Sequence, residues 1–554
     1  MVKLISKTIS LFNRREDNIL SAASVIMAAV AISRILGLLR DRLLAARFSP
    51  SELGVYYAAF RLPNMVFELL VMGALTSAFI PVFTSYLDTK GKRQAFNVAS
   101  SVINICVLVF VLFSIPMLVA TRQISHILAP GFNDEQIDTM VVFTRIMIVA
   151  QVFPLLIGNF LTGILQSFRN FLVSSLAPIV YNVGIIAGVI FLTPQFRLFA
   201  PVIGVGIGAV LFSAIQIPAI LFYGYRHSFR FDIKNRGVRQ VGKLMLPRTL
   251  GLAVSQIDTT IDLVLSTLLG AASVTVFNFA QHLQQLPVGL FGASLAQATL
   301  PTLSSSYAKK DLKMFKSIFL ASYHQILFLV VPLSAMLIVL RIPIVRLVFG
   351  ASTLFDWEST VLTGKTVAYF SLSLFAQSLV HLLARSFYAL HNTKIPLLAG
   401  AVAVTINTVF SVIFVIIYHW PVWSLGLSAS LGSIVNLLLL IFFLYKKIGP
   451  FSAAEMFLPS LKIFLAAAVS AIALYLPLKL LDQLVFDTTH TFNLLVLTGF
   501  SVALGLFVYL FFAWFMDVKE IAVIFKLISK YSKPKPSLPI DTTSQLTDIP
   551  DNTP

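Results

Sequence analysis

The sequence has few of the residues and motifs that mark soluble enzymes and secreted domains. Its 554 residues include a single cysteine, Cys106, and only 12% of them are charged. One thiol excludes an intrachain disulfide. The chain has no GxxxxGK[ST] phosphate loop, no HExxH pair, no GxSxG elbow and no Cys/His spacing typical of a metal site. These absences argue against the common classes of enzyme.

Long apolar runs dominate the chain instead, since 58% of its residues are hydrophobic. A bilayer core needs about 20 apolar residues per helix, and the chain divides into about fourteen such stretches. The predicted spans are 20–47, 54–86, 95–120, 138–168, 171–193, 200–224, 240–269, 272–307, 313–340, 360–390, 394–418, 422–445, 456–481 and 491–516. They are too long and uniformly apolar for barrel strands. The sequence therefore predicts an all-α polytopic membrane protein.

Basic residues cluster in alternate loops, which explains the formal net charge of +18. Clusters precede the first span and follow the second, sixth, eighth and twelfth. By the positive-inside rule both termini are expected to be cytoplasmic. The first apolar run is too long and too charged for a cleaved signal peptide. No basic stripe interleaved with aromatics occurs in a soluble segment, so a nucleic-acid partner is not expected.

Two sequence patterns recur at an offset of roughly 220 residues, which predicts an internal duplication. Leu62-Pro63 followed by TSAFIPVFTSY recurs as Leu286-Pro287 followed by AQATLPTLSSSY, and QSFRNF recurs as YALHNT. We expect two six-helix lobes as parallel repeats, plus two C-terminal helices, with a cargo site between the lobes. The predicted boundaries are a basic N-terminus at 1–18, an N-lobe at 19–225, a basic linker at 226–239, a C-lobe at 240–446, the last two spans at 447–517, an amphipathic interfacial helix at 518–532 and a disordered cytoplasmic tail at 533–554.

The first predicted span holds five charged residues: Arg34, Arg40, Asp41, Arg42 and Arg47. A charge near the bilayer centre costs at least about 2.5 kcal/mol and normally faces a protein interior or an aqueous cavity. Helical spacing gathers Arg34, Arg40 and Asp41 on one broad face beside small residues. This face predicts a cavity for an anionic cargo. The alternatives are that Arg42 and Arg47 reach the outer interface and that Arg34 pairs with Asp41 for structure alone.

Six motifs in order carry a resemblance that covers nearly the whole chain. They are SRILGLLRD (33–41), FRLPN (60–64), GALTSAFIPVF (73–83), TGILQSFRNF with a following AP and N (162–182), PVGLFGASLAQATLP (287–301) and ARSFYALHNTKIP (384–396). Together they resemble the MurJ (MviN) family of lipid II flippases, within the multidrug/oligosaccharidyl-lipid/polysaccharide exporter superfamily. The resemblance implies fourteen helices, two lobes and alternating access. It also implies a lipid-linked peptidoglycan precursor, moved from the inner to the outer leaflet, as cargo, and a location in the bacterial cytoplasmic (inner) membrane.

The resemblance implies cargo contact for Arg34 and Arg40, with Asp41 as the acidic neighbour of an arginine. The implied partners are lipid II or a similar polyprenyl-pyrophosphate glycolipid, membrane lipids, and proteins of cell-wall synthesis or division. Arginine suits a pyrophosphate because its guanidinium stays charged and offers forked donors.

The sequence departs from the family pattern at two positions. Phe67 and His282 stand where family members usually carry cavity arginines. Arg61 and Arg248 are candidates to restore the positive field, or else they anchor helix ends. His282 is a candidate for phosphate binding in one protonation state and release in the other, or else a hydrogen-bonded structural residue.

Two acids in the seventh predicted span, Asp258 and Asp262, lie at i and i+4 and share a helix face. The resemblance implies a sodium site in the C-lobe at Asp262 and Asn407, with Ser411 where the family has a second acid. Na⁺ coupling, H⁺ coupling and the membrane potential are the open driving forces, and no other cofactor or metal is expected. Alternatively, one aspartate pairs with Arg248 or faces the aqueous cavity.

Two other functions compete with lipid II transport. One is export of another polyprenyl-linked oligosaccharide or of an organic cation, and the other is a non-transporting scaffold in the cell envelope. A cation would require an acidic and aromatic cavity, whereas the first span is basic. An anionic lipid cargo is therefore favoured.

Overall fold

A computed structural model of the chain describes residues 19–72, 78–350, 352–484 and 490–522. Within these ranges the regular structure is helical, and no strand is present. The all-α prediction is therefore confirmed for these residues. The predicted N-terminus, most of the interfacial helix and the tail lie outside the described residues.

The described residues in the first half of the chain form twelve helices. They are α1 (Ile19–Arg47), α2 (Pro50–Ala59), α3 (Arg61–Phe67), α4 (Ile80–Lys90), α5 (Lys92–Val119), α6 (Thr121–Leu128), α7 (Asp134–Met147), α8 (Phe153–Ser167), α9 (Phe171–Ala187), α10 (Thr193–Phe196), α11 (Phe199–Ala214) and α12 (Ile217–Phe222).

The second half forms eleven described helices. They are α13 (Arg236–Leu268), α14 (Ala271–Pro287), α15 (Ser294–Ala308), α16 (Leu312–Val339), α17 (Arg341–Phe349), α18 (Trp357–Ser371), α19 (Leu374–Ala389), α20 (Lys394–Val412), α21 (Trp423–Ile448), α22 (Ala453–Leu484) and α23 (Thr491–Phe515).

Ten helical stretches of the described residues are long and apolar enough to cross a membrane. Some of them join two of the numbered helices through a π-turn, as α7 and α8 do over Asp134–Ser167. The pair α18 and α19, bent by 45°, makes an eleventh candidate. The predicted first, second and seventh spans are not among them. Of these, α1 has 29 residues and α13 has 33, which exceeds the length that a bilayer core requires. The described chain is thus a multi-pass membrane protein whose helices are consistent with about fourteen spans.

Five π-helical turns that lie entirely within the described residues interrupt the spans, and four of them form two pairs with the spacing of the sequence repeat. Glu68–Met72 and Val288–Ala293 are one pair, and Gly188–Leu192 and Ile413–Ile417 are the other; the unpaired turn is Ile148–Val152. A π-turn leaves backbone carbonyls without their usual helical partners and often marks a functional position. Both halves of the chain therefore depart from regular helix at corresponding places.

Small residues let helices approach closely inside the N-lobe and between the lobes. A Cβ at Gly184 of α9 would lie 2.4 Å from the Cα of Gly208 in α11. A Cβ at Gly54 of α2 would lie 1.8 Å from the carbonyl oxygen of Ala271, at the start of α14. Thr275 Oγ1 donates to the carbonyl oxygen of Pro50 at 2.6 Å in the same contact. The two lobes thus meet backbone to backbone along α2 and α14.

The structure corrects several predicted boundaries. The second span, expected as one helix, breaks after α2, continues as α3 and enters the π-turn Glu68–Met72. The predicted linker ends earlier, because Asn235 caps α13 by accepting from the backbone N–H of Gly237 at 2.8 Å. Sequence patterns also gave no sign of the short helices α6 and α17.

The last two charged residues of α1, Arg42 and Arg47, donate hydrogen bonds to backbone carbonyls. Arg42 Nη1 donates to the carbonyl oxygen of Leu347 in α17. Arg47 Nη1 donates to the carbonyl oxygens of Val189 at 2.5 Å and Ile190 at 3.0 Å. Both of these carbonyls belong to the π-turn after α9. These arginines therefore satisfy backbone groups of neighbouring helices.

Candidate functional site between the lobes

Arg40 and Asp41 form an ion pair in the C-terminal third of α1. Arg40 donates to Asp41 Oδ1 from Nε at 3.0 Å and from Nη2 at 2.9 Å. Asp41 is 1% exposed, whereas the Arg40 side chain is 20% exposed. The carboxylate is therefore enclosed, and part of the guanidinium remains accessible.

The same carboxylate binds side chains from two further helices. His282 Nδ1 of α14 donates to Asp41 Oδ2 at 2.8 Å. The Tyr57 hydroxyl of α2 donates to Asp41 Oδ1 at 3.3 Å. Asp41 thus joins α1 and α2 of the N-lobe to α14 of the C-lobe. The structure brings His282, a separately predicted site residue, to Arg40 and Asp41, which were predicted together on one face of the first span.

Asn182 of α9 completes this group of side chains. Its Oδ1 accepts from Arg40 Nη1 at 3.3 Å, and its Nδ2 donates to Ser33 Oγ at 3.3 Å. Sequence reasoning used Asn182 only as a marker of the repeat, and it did not single out Tyr57. The sequence feature that could have identified both residues is their closeness to the family motifs. Tyr57 precedes FRLPN, and Asn182 follows QSFRNF and Pro178.

Two cavities adjoin the Arg40–Asp41–His282 cluster. The larger encloses about 330 Å³ and is lined mainly by polar and aromatic side chains, among them Arg40, Arg61, Tyr57, Asn64, Gln281 and His282. The smaller encloses about 180 Å³ and includes Ser33, Arg34, Gly37, Arg40, Asp41 and His282. Arg40 and His282 line both. The cluster therefore stands between two polar cavities at the meeting of the lobes.

The other predicted cavity residues take different positions. Arg61 lines the larger cavity, but its Nε donates to Thr260 Oγ1 at 2.9 Å and its Nη2 donates to the carbonyl oxygen of Gln256 at 2.5 Å. Arg34 is exposed at the smaller cavity. The side chain of Arg248 lies outside the described part of the chain. Phe67 packs against apolar residues of the N-lobe.

The predicted ion-coupling residues also come together, in a separate cluster of the C-lobe. Asn407 Nδ2 of α20 donates to Asp258 Oδ1 at 2.9 Å and to Asp262 Oδ1 at 3.4 Å, both in α13. Ser411 Oγ donates to Asn407 Oδ1 at 3.4 Å. Asp262 is 6% exposed. Two carboxylates, an amide and a hydroxyl thus gather in a buried oxygen-rich site.

The cluster between the lobes leaves cavity space beside Arg40. Arg40 is bound to an internal carboxylate, and the exposed part of its guanidinium faces polar cavities. A diffusing or lipid-borne phosphate offers the oxygens that a guanidinium binds with two parallel hydrogen bonds. Asp41 can meanwhile keep its hydrogen bonds from His282 and Tyr57. The geometry is therefore suited to reversible binding of an anion.

Comparison with known proteins agrees with this architecture. The sequence profile described as "Lipid II flippase MurJ" matches residues 48–530. The chain belongs to the MurJ family.

Curated members of the MurJ family match over most of their length. A probable lipid II flippase MurJ of Buchnera aphidicola subsp. Baizongia pistaciae is 26% identical over 471 residues, which are 83% of this chain and 90% of the relative. The lipid II flippase MurJ of Burkholderia cenocepacia is 24% identical over 440 residues, which are 78% of this chain and 84% of the relative.

Solved structures show the same fold. A structure described as lipid II flippase MurJ in an inward closed conformation matches with a TM-score of 0.74 at 24% identity, covering 91% of this chain and 99% of that one. An inward-facing MATE transporter of the MOP superfamily matches with a TM-score of 0.64 at 15% identity, covering 76% and 98%. The MurJ family chain therefore has the two-lobed fold of this transporter superfamily.

Proposed function

We propose that the protein is a flippase for a polyprenyl-pyrophosphate-linked peptidoglycan precursor, lipid II, in cell-wall synthesis. Membership of the MurJ family supports this assignment. The observation that carries it is Arg40, a partly exposed cation beside an enclosed carboxylate and two polar cavities. A flippase must shelter a charged headgroup from hydrocarbon while the polyprenyl tail stays in lipid.

In this proposal the cargo pyrophosphate competes with Asp41 for Arg40. Arg34, exposed at the smaller cavity, adds a second cation for the same anion. After release of the cargo, Asp41 binds Arg40 again and neutralises its charge. The acid therefore prevents an unpaired buried cation between transport cycles.

We place both termini in the cytoplasm, by the positive-inside rule. The contact between α2 and α14 then lies toward the outer side of the membrane, because α1 leads outward from the N-terminus. This contact is the closed outer gate in our proposal. Opening requires separation of Gly54 from Ala271 and loss of the hydrogen bond between Thr275 and Pro50.

We assign energy coupling to the cluster of Asp258, Asp262 and Asn407. Carboxylate, amide and hydroxyl oxygens are ligands for hard cations, and rotation of the Asn407 amide would turn its oxygen toward the two acids. The cluster suits Na⁺, or a proton shared between the carboxylates. The membrane potential is the alternative driving force.

Complementation tests this function directly. Cells depleted of their own lipid II flippase would express the chain, and growth and outer-leaflet precursor would be measured. We expect rescue by the wild type and at least about a tenfold loss of surface precursor in Arg40→Ala, since one charge-assisted contact contributes about 1.5–3 kcal/mol. Arg122→Ala is the matched control, because Arg122 pairs with Asp138 at the protein surface.

Three outcomes separate the rival functions. Full rescue by both Arg34→Ala and Arg40→Ala would refute the cavity proposal. Absence of rescue by well-expressed wild type would favour an envelope scaffold. Accumulation of a different polyprenyl-linked glycan on deletion of the native gene would favour another cargo.

A further inference from the structure

A second large cavity lies away from the site between the lobes. It encloses about 590 Å³, more than the 330 Å³ of the cavity beside Arg40. Its walls come from the first turns of α16, the first turns of α22 and residues 517–520 after α23. Its size lies in the range of about 300–1,000 Å³ that is typical of small-molecule sites.

Lysines surround this cavity at the helix ends. Lys313, Lys316, Lys462 and Lys519 line it, together with three acids. Lys316 and Lys462 are partly buried, and Lys316 Nζ donates to the carbonyl oxygen of Pro450 at 2.9 Å. A lysine ammonium has three donors, so this bond leaves two for a ligand. Two partly enclosed ammonium groups make a site for a phosphate.

Glu520 supplies an acceptor inside the same cavity. Its side chain is 13% exposed, and its Oε1 lies 3.9 Å from His324 Nδ1. Its Oε2 is buried and has no hydrogen-bond partner among the described residues. A buried acceptor without a partner is costly. The cavity is therefore suited to a ligand that brings a hydroxyl donor together with its phosphate.

The cavity also borders lipid. Its apolar lining includes Leu320, Leu458 and Pro459. On the protein surface, α22 exposes Phe457, Leu458 and Leu461. Apolar side chains that face outward from a membrane helix contact acyl chains. Charged headgroup contacts and acyl-chain contacts thus lie side by side.

We propose that this cavity binds a glycerophospholipid of the phosphatidylglycerol class, with its phosphate at Lys316 and Lys462 and a headgroup hydroxyl donating to Glu520. Basic pockets between membrane helices on the cytoplasmic side recognise anionic headgroups. An ethanolamine ammonium would meet four lysines against three acids in this cavity, whereas a glycerol hydroxyl brings no charge. The proposal does not depend on the identity of the transported cargo.

The test measures lipid binding to the full chain in detergent by native mass spectrometry. Phosphatidylglycerol, phosphatidylethanolamine, soluble glycerol phosphate and undecaprenyl pyrophosphate would be titrated separately. The double variant Lys316→Gln/Lys462→Gln should weaken phosphatidylglycerol binding about thirtyfold, the equivalent of about 1 kcal/mol for each basic residue. The matched control is Lys446→Gln/Lys447→Gln, which removes two lysines at the end of α21, outside the cavity.

Further variants keep the test decisive if the double variant folds poorly. Lys316→Arg should bind phosphatidylglycerol within about threefold of the wild type, whereas Glu520→Leu should lose preference for the glycerol headgroup. Equal binding of phosphatidylethanolamine would overturn the proposal. So would equal binding of glycerol phosphate, a greater loss of undecaprenyl pyrophosphate binding than of phosphatidylglycerol binding in the double glutamine variant, or an unchanged affinity for phosphatidylglycerol in that variant. Because no flipping is measured, failure here would leave the proposed transport function standing.

Discussion

Adding a single methyl group at Gly54 should open the contact between α2 and α14. A Cβ there would lie 1.8 Å from the Ala271 carbonyl oxygen, whereas real Cβ contacts are essentially never below 3.0 Å. The two backbones must therefore separate by at least about 1.2 Å. Overpacking of this kind costs about 1–3 kcal/mol. At about 2 kcal/mol the ratio of open to closed molecules rises about thirtyfold.

Cysteine labelling would measure this change. In a Cys106→Ser background, Ala58→Cys places a thiol one helical turn beyond Gly54, at a position that is 0% exposed. Gly54→Ala should raise the rate of its modification by a membrane-impermeant maleimide about thirtyfold, in proportion to the open population. The amount of precursor on the outer leaflet of complemented cells should fall, because alternating access requires the α2–α14 contact to close as well as to open.

Gly499→Ala is the matched control, because no atom lies within 4 Å of the added Cβ. Size-exclusion profiles of both variants would show whether each remains folded. If folded Gly54→Ala reacted at the same rate as Gly499→Ala, the inferred role of the α2–α14 contact in closing the lobes would be wrong.

Three further predictions concern charged and titratable groups. Asp41→Asn should lower the apparent melting temperature in detergent by several degrees, because it leaves Arg40 without its counter-charge, and Arg40→Gln/Asp41→Asn should recover part of the loss; equal losses in the single and double variants would contradict the pairing. Asp262→Asn should abolish any stabilisation by Na⁺ over K⁺ in thermal scans, whereas Asp138→Asn should leave it unchanged; persistence of the Na⁺ effect in Asp262→Asn would exclude this cluster as the sodium site. His227 lies outside the spans and is hydrogen-bonded to Tyr225 and Asn104. Partial burial lowers its pKa. The stability that neutral His227 contributes to residues 226–235 is therefore complete above about pH 6.5 and is lost as the pH falls through the lowered pKa. Hydrogen exchange of this segment, corrected for intrinsic rates, should accelerate toward pH 5 in the wild type but not in His227→Gln, and the same acceleration in both would refute that role.

The fold was largely readable from the sequence because the membrane imposes simple constraints on helix length and loop charge. Apolar length predicted the spans, and the repeated Leu-Pro motifs predicted a spacing that the π-turns share. The break within the second span was not predicted, because an apolar run does not reveal where its backbone hydrogen bonds shift. The short helices α6 and α17 carry too few residues for a periodic pattern.

The site was predicted as a set of charges but not as a network. Helical spacing placed Arg40 and Asp41 in one span, and the spacing of Asp258 and Asp262 placed both acids on one face. The hydrogen bond from His282 to Asp41 depends on how the two lobes pack together. No local sequence pattern predicts that packing. Arg61 illustrates the same limit, since its partners Gln256 and Thr260 lie almost 200 positions away along the chain.

The carboxylate of Asp41 has one further consequence, because Arg40 and Tyr57 of the N-lobe and His282 of the C-lobe share its two oxygens, while the cargo anion would draw Arg40 away. Linkage between two binding events is reciprocal: if an anion at Arg40 changes the strength of the hydrogen bond from His282 to Asp41, then docking of the lobes changes anion binding by the same factor. Cargo affinity would then depend on the distance between the lobes as well as on the arginines themselves. A single acidic side chain would thereby couple occupancy of the cavity to the contact between the two halves.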